Sequence, residues 1–272
     1  MGSIRIRTPA VAGTFYPGQT RELRATIQQL LQVAKSVADP PCAMVAPHAG
    51  YTYSGYTMAC AYRSLPRVPN ETTPGRRVVL VGPSHRVHLE GISVGPYHAF
   101  QTPLGMVEVD METVERLATV TDVSRSMAPH SLEHSLEVHL PFLQMVVGNF
   151  RLVPIVYGEI TPERLAHLIQ FCLEPDDLLV VSSDLSHFHS YEEAILLDEE
   201  SHRAVLHLDS KAMGECEACG NIGMRAILDV AQQRSWRVAL ADYRNSGDTS
   251  GDKSRVVGYA SYLFHPAAAF CV

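Results

Sequence analysis

The amino-acid sequence predicts an α/β fold, a three-layer α/β/α sandwich in which helices cover both faces of a mixed sheet. Short apolar runs over 43–46, 78–81 and 178–181 alternate with longer segments whose apolar residues recur at helical spacing. Strands that are apolar throughout are buried on both faces, so helices must lie on both sides of the sheet. Because no repeat or linker-like stretch divides the chain, we interpret residues 1–272 as one domain.

The first half of the chain is predicted to alternate helices and strands. A proline inside a helix removes a main-chain hydrogen bond, so Pro141 is expected to kink the last helix of this half. In chain order, the predicted elements are a helix with the apolar stripe Leu23, Ile27, Leu30, Leu31 and Ala34, a strand over 43–46, a helix over about 54–65, strands over 77–81 and 92–94, a helix near 111–118 and a helix that begins near 133.

The second half continues this alternation. Thr161 is a preferred N-cap residue and Pro162 suits the first helical position, so a helix is expected to begin there. Pro154 has no main-chain N–H to donate to a neighbouring strand, so its strand is expected at the edge of the sheet or at a β-bulge. In chain order, the predicted elements are a strand over 152–156, the helix from 162, a strand over 178–181, helices over about 198–208 and 221–233, and an antiparallel hairpin of strands near 236–243 and 256–264.

The bulk composition excludes several classes of function. The formal net charge of −7 argues against a surface built for nucleic acid or anionic lipid. No window approaches the roughly 20 apolar residues that span a bilayer. Residues 1–7 lack the apolar core of a signal peptide, so we expect a cytoplasmic protein.

The cysteines are expected to be reduced. Three of the six, Cys42, Cys60 and Cys172, lie in apolar segments, where a cysteine behaves as a small buried hydrophobe. Only Cys216 and Cys219 form a C-x-x-C pair, and a zinc ribbon would need a second pair, which the sequence lacks.

Histidines follow three of the predicted core strands. His48 comes after the strand over 43–46, His85 after the next strand, and His187 shortly after the strand over 178–181, with Asp184 between. In open α/β sheets, ligands bind just beyond the carboxyl ends of the strands. One such histidine would more often be a loop residue bonded to backbone, but three together predict a metal or catalytic site.

A further cluster lies in the segment 133–141, EHSLEVHLP. If this segment is helical, His134 and Glu137 share a face and could hydrogen-bond a metal-bound histidine. His134 and His139 are five positions apart and could not bind one ion together. A solvated face with surface ion pairs is the alternative.

Cys219 is the candidate thiolate. It precedes a helix that Asn221 is predicted to cap, and the positive end of a helix dipole lowers the pKa of a nearby thiol. Cys216 lies farther from that end and gains less, and a packing role remains the alternative for Cys219. Tyr51 and Tyr53 are close to His48 in the sequence. They could line the opening of the predicted site, or they could pack in the core.

Four motifs, taken together, resemble the Memo family in sequence and in order, and they span nearly the whole chain. The segment 218–220, ACG, fits the late Cys-Gly motif of that family. The motifs are APHAGYTYSG at 46–55, GPSH at 82–85, EHSLEVHLP at 133–141 and SSDLSH at 182–187.

The resemblance implies a fold related to the class III extradiol dioxygenases, which hold non-haem Fe(II). It also implies one iron or copper ion bound by His48, His85 and Cys219, with Asp184 and His187 in the same cleft and His187 as acid/base. The dioxygenase relatives have a glutamate in the third ligand position, where this chain has Cys219. Family resemblance further points to radical-SAM and AMMECR-type partner proteins.

Two imidazoles and a thiolate suit copper, and they suit zinc nearly as well. Three protein ligands leave a coordination position open, as in catalytic rather than structural sites. The sequence therefore predicts a metal-dependent oxidoreductase. The alternatives are a module that binds a peptide or small ligand in the same cleft, and a protein that buffers metal.

Overall fold

The computed structural model describes residues 4–37, 39–66 and 75–267. Cys271 lies outside these ranges, and the other five cysteines are free thiols, as predicted. None of the helices within the described ranges combines the length and apolar character needed to cross a bilayer.

The chain alternates strands and helices from end to end. The strands are β1 (Ile6–Arg7), β2 (Ala43–Ala46), β3 (Arg76–Pro83), β4 (Ile92–Ser93), β5 (Ala99–Thr102), β6 (Gly105–Val109), β7 (Val123–Ser124), β8 (Phe150–Tyr157), β9 (Leu178–Ser182), β10 (His187–His189), β11 (Arg237–Asn245) and β12 (Val256–His265). The helices are α1 (Thr20–Val33), α2 (Tyr51–Arg63), α3 (Met111–Leu117), α4 (Ala128–Ser131), α5 (Leu140–Val146), α6 (Pro162–Cys172), α7 (Tyr191–Leu206), α8 (Ser210–Met213), α9 (Asn221–Gln233) and α10 (Gly247–Ser250). A short 3₁₀ helix, Glu137–His139, leads into α5.

The strands form one mixed sheet. Its order is β1-β5-β6-β8-β3-β9-β2-β12-β10, with β11 on β12, and β4 joining β8 to β7. The four central strands β8, β3, β9 and β2 are parallel, and β12 runs antiparallel to β2. Their residues are almost all buried, as their unbroken apolar sequences predict.

Two groups of helices cover the sheet. α1, α2 and α5 pack against one another, with α2 over β2 and β12. α6 and α9 form a second group, with α9 over β9 and β3, and α3 and α8 packed beside them. This arrangement confirms the predicted three-layer α/β/α sandwich, and β11 and β12 confirm the predicted antiparallel hairpin.

Two local predictions were incomplete. The helix expected over 198–208 begins earlier, at Tyr191, because Ser190 and Glu193 form a capping box at its start. Pro154 lies inside the sheet rather than on its edge. On the side of β8 away from β3, two strands pair with it. β6 pairs with Arg151 and Leu152, and β4 pairs with Val156 and Tyr157. Pro154 lies in the gap between these two pairings.

The predicted helix beginning near 133 is wrong. Glu133 and His134 have no regular secondary structure, the next two residues form a turn, and α5 begins only at Leu140. Pro141 therefore lies in the first turn of α5, where its missing N–H costs little, and it kinks nothing. The face that His134 and Glu137 would share on a helix does not exist.

Glu137 instead anchors the N-terminal segment. Its side chain is fully buried and pairs with the guanidinium of Arg7 in β1. The hydroxyl of Tyr16 donates to the same carboxylate at 2.6 Å, and the main-chain N–H groups of Ala10 and Val11 donate at 2.8 and 3.0 Å. One carboxylate thus accepts four hydrogen bonds and fixes the start of the chain against the segment before α5.

Candidate metal centre

The three predicted ligands meet at the carboxyl edge of the sheet. β3, β9 and β2 are neighbours, so His85 after β3 and His48 after β2 flank the end of β9. Cys219 reaches the same point from the loop before α9. One ligand atom from each of these three residues lies within 4.8 Å of the others. The structure therefore brings together the set that the sequence predicted.

His48 is held from two sides. Its main-chain N–H donates to Asp184 Oδ1 at 2.7 Å, and its ring Nδ1 lies 2.6 Å from the hydroxyl of Ser182. Burial, with the nearby positive charges of His85 and His134, keeps the pKa of His48 well below its ordinary value. The ring is therefore a neutral imidazole whose Nε2 faces the centre, 3.2 Å from Cys219 Sγ.

His85 is held by Glu133, a residue that the sequence analysis did not select. The Glu133 carboxylate lies 2.9 Å from His85 Nδ1 and accepts the main-chain N–H groups of His85, His134 and Ser135. Burial raises the pKa of Glu133, but its hydrogen bonds with His85 and the electrostatic attraction between the two side chains outweigh burial and lower that pKa to about 2. The carboxylate is ionised, so a proton on His85 Nδ1 points to it, and Nε2 is the ring atom left for a metal.

Cys219 is protonated in the metal-free protein. Burial and the charge of Asp184 raise the pKa of its thiol, so the predicted lowering by the helix terminus is wrong. The main-chain N–H of Asp184 donates to Sγ at 3.3 Å. Gly220, not Asn221, is the N-cap of α9, and the Asn221 amide donates instead to the carbonyls of Met213 and Cys216.

The three residues expected to support the ligands lie in different places. The ring of His134 lies 4.8 Å from that of His85 and 5.3 Å from that of His48, centroid to centroid. Glu137 was expected to hydrogen-bond a ligating histidine, and this is wrong because its carboxylate binds Arg7 and the N-terminal segment. Tyr51 is buried and donates to the carbonyl of Val138, so core packing explains it.

Asp184 and His187, the predicted acid/base residues, form a second cluster that shares Cys219. A ligand atom of each lies within 4.8 Å of the other and of Cys219 Sγ. Burial raises the pKa of Asp184, partly offset by the hydrogen bond from the His48 main chain. The thiol of Cys216 donates to the carbonyl of Ala212, and none of the ligand clusters among the described residues includes Cys216.

The donor set fits a transition-metal ion. Two imidazoles that are each bonded through Nδ1 leave their Nε2 atoms for a metal, and the Cys219 thiol lies 3.2 Å from His48 Nε2, where a cation could replace its proton. His48 is 2% exposed, whereas the side chain of His85 is 27% exposed, so the centre is buried on one side and open on the other. An exchangeable ligand could enter from the His85 side.

Gly220 lets the loop that carries Cys219 approach β9, and Gly220→Ala should displace the thiol. A Cβ at this position would lie 2.5 Å from Ser183 Cβ and 2.7 Å from the Ser182 carbonyl oxygen, and neither atom can move freely. We expect a loss of about 1–3 kcal/mol in the free energy of unfolding. Alkylation of Cys219, followed by mass spectrometry, should become faster.

Gly50→Ala is the matched control, because its Cβ would meet only ordinary contacts, the nearest being Phe15 O at 3.4 Å. Unchanged stability and unchanged protection of Cys219 in Gly220→Ala would show that this close approach does not position the thiol.

The chain is similar to known proteins over nearly its whole length. The sequence model of the family described as Memo-like protein matches residues 7–263. A MEMO1 family protein of Aquifex aeolicus (strain VF5) is 36% identical, over 96% of this chain and 100% of the relative. A MEMO1 family protein of Ignicoccus hospitalis is 35% identical, over 95% of this chain and 98% of the relative.

Among solved structures, the uncharacterized protein JW3007 from Escherichia coli K12 aligns with 81% of this chain and 98% of its own, with a TM-score of 0.52. At 11% identity this match shows a shared fold. The family match and the relatives each extend over nearly the whole sequence. The chain therefore belongs to the Memo-like protein family.

Proposed function

We propose that the protein is a metal-dependent oxidoreductase that holds one iron or copper ion on His48, His85 and Cys219. The observation that supports this most strongly is the convergence of two free imidazole Nε2 atoms and a thiol within 4.8 Å. Each histidine is tied down through its Nδ1, by Ser182 or by Glu133, so that Nε2 is the atom left for a metal. Zinc would also suit this donor set.

A bound iron or copper ion would supply redox chemistry and a coordination position for a small ligand. The chain supplies the proton-handling groups beside it. Asp184 is 5% exposed, and burial raises the pKa of its carboxyl above the ordinary value, which suits a group that gives and takes a proton. His187 is half-buried beside Asp184 and Cys219, and we assign it the transfer of protons to and from the centre.

The test is purification under nitrogen, elemental analysis, anomalous diffraction at the iron and copper edges, and oxygen uptake with a panel of catechols and thiols. We expect one ion per chain at the three residues, and oxygen uptake that is lost in His48→Ala. His167→Ala is the control, because His167 is an exposed histidine of α6.

Two results would contradict the proposal. Protein that takes up neither iron nor copper under nitrogen would rule out the centre. A stoichiometric ion without oxygen or peroxide chemistry would instead support metal buffering or a ligand-binding module.

A further inference from the structure

We propose that Ser182, His139 and Tyr62 are positioning residues that fix the proton of His48 on Nδ1 and so keep its Nε2 free for the metal. This inference rests on the proposed metal-binding function. His139 and Tyr62 lie outside the centre, in the 3₁₀ helix before α5 and in α2, and both are fully buried. They act on His48 only through the Ser182 hydroxyl.

The key contact is between the Ser182 hydroxyl and the carbonyl of Ser135. The two oxygens are 2.6 Å apart, and a carbonyl can only accept, so the single hydroxyl proton of Ser182 points to Ser135. The two lone pairs of Ser182 Oγ are then left for its other neighbours. These are His48 Nδ1 at 2.6 Å and His139 Nε2 at 3.0 Å.

Both ring nitrogens must therefore carry protons. A proton on Nδ1 leaves Nε2 as the ring atom of His48 that can bind a metal, and this is the atom that faces Cys219. Burial lowers the pKa of His139 to about 3, so His139 is neutral. Its Nδ1 is then bare and accepts the hydroxyl proton of Tyr62 at 2.8 Å.

The hydrogen bonds among these residues fit only one arrangement of their protons. Tyr62 donates to His139, His139 and His48 donate to Ser182, and Ser182 donates to Ser135. Reversing the tautomer of either histidine would leave a buried polar atom unpaired, which costs about 1–3 kcal/mol. This network of hydrogen bonds therefore selects one tautomer of His48 through neutral groups alone.

The two ligating histidines are positioned from the same short segment. The Ser135 carbonyl directs Ser182 and so His48, while its main-chain N–H donates at 2.9 Å to Glu133, which holds His85. The Ser135 hydroxyl donates to the Pro83 carbonyl at 2.8 Å and ties this segment to the end of β3. The residues 133–135 thus couple the orientation of both imidazoles.

The first readout is the tautomer of His48 in metal-free, full-length protein, from ¹⁵N NMR of histidine-labelled samples. Signals are assigned with His48→Gln and His139→Gln. We expect a proton on Nδ1 of His48 and on Nε2 of His139 in the wild type. A proton on Nε2 of His48 would overturn the inference, whether or not the protein binds metal.

The second readout is Co(II) affinity by competition with a chelator, with the visible spectrum as a report on ligand geometry. We expect Ser182→Ala to weaken Co(II) binding about 10–100-fold, and Tyr62→Phe to weaken it less. The control is Ser261→Ala. Ser261 is also fully buried and donates to a main-chain carbonyl, that of Thr57, away from the centre.

Co(II) affinity in Ser182→Ala equal to that of the wild type would overturn the inference. If Ser182→Ala fails to fold, the Co(II) affinity of Tyr62→Phe and the histidine tautomers of the wild type still test the inference. A wild type that shows the expected tautomers but binds no Co(II) would contradict the proposed function and leave the positioning network intact.

Discussion

Replacing Glu137 by glutamine should lower the free energy of unfolding by about 3–5 kcal/mol, the usual cost of removing one partner of a buried ion pair. Glu137 is fully buried, and the Arg7 side chain that it pairs with is only 2% exposed. Glutamine would keep the shape, but it would leave the guanidinium without its counter-ion and turn an amide N–H₂ toward other donors. Urea denaturation followed by circular dichroism would measure the loss.

Glu115→Gln is the control, because Glu115 is an exposed glutamate of α3 and should change stability by less than about 0.5 kcal/mol. The double variant Arg7→Met with Glu137→Gln should recover part of the loss, since it removes both charges and keeps an amide oxygen for the donors that remain. A Glu137→Gln protein as stable as Glu115→Gln would show that this carboxylate does not anchor the N-terminal segment.

The ion pair between Arg7 and Glu137 is also connected to the candidate metal centre. Arg7 also donates to the main-chain carbonyl of Glu133 at 2.5 Å, and the Glu133 carboxylate holds His85. Arg7 lies 126 positions from Glu133 in the chain. Contacts of this kind depend on the tertiary fold, so no local pattern in the sequence could have shown them.

The parts of the fold and site that the sequence did predict are those set by local patterns. Unbroken apolar runs identify strands buried on both faces, and the residues that follow them must lie at the carboxyl edge. His48 and His85 were found in this way. That β3, β9 and β2 are neighbours is a matter of strand order, which local sequence patterns do not determine.

Glu133, and not the predicted Glu137, holds a histidine of the centre because this segment is not helical. A helix was assumed through both residues, yet the Glu133 carboxylate accepts the N–H groups of His134 and Ser135. Side-chain bonds to nearby backbone compete with helical hydrogen bonds and favour a turn. The signal that could have found Glu133 is Pro141, since proline prefers the first turn of a helix and places the start of α5 after both glutamates.

The pKa of Cys219 was predicted in the wrong direction because two effects of different size compete. A helix terminus stabilises a nearby charge by about 0.3–1 kcal/mol at exposed sites. Burial shifts a pKa by up to about 3–5 units for a fully buried group, at about 1.4 kcal/mol per unit, so it can be the larger effect even at the half-buried Cys219. The sequence showed the helix but not the burial, which comes from the packing of the loop onto β9.

Replacing Cys219 by serine should weaken the binding of Co(II) by more than the roughly 10–100-fold expected for a residue that only supports a ligand. Because the pKa of the Cys219 thiol is raised, the thiol is protonated at neutral pH, and metal binding must displace that proton. Between about pH 6 and 8, below that pKa, each unit of pH should therefore raise the wild-type affinity about tenfold through this proton alone. Serine does not release a proton in this range, so the variant should lose this part of the pH dependence.

Cys216→Ser is the matched control for this substitution, since Cys216 belongs to the same C-x-x-C pair but its thiol donates to the Ala212 carbonyl and joins none of the ligand clusters in the described residues. Calorimetric titration in two buffers of different ionisation enthalpy would count the protons released on Co(II) binding. We expect one proton fewer in Cys219→Ser than in the wild type and in Cys216→Ser. Equal losses of affinity in the two variants would assign the thiolate ligand to neither cysteine alone. Full affinity in Cys219→Ser would remove the thiol from the centre and leave two histidines, a set too small to hold iron or copper tightly without Asp184 or His187.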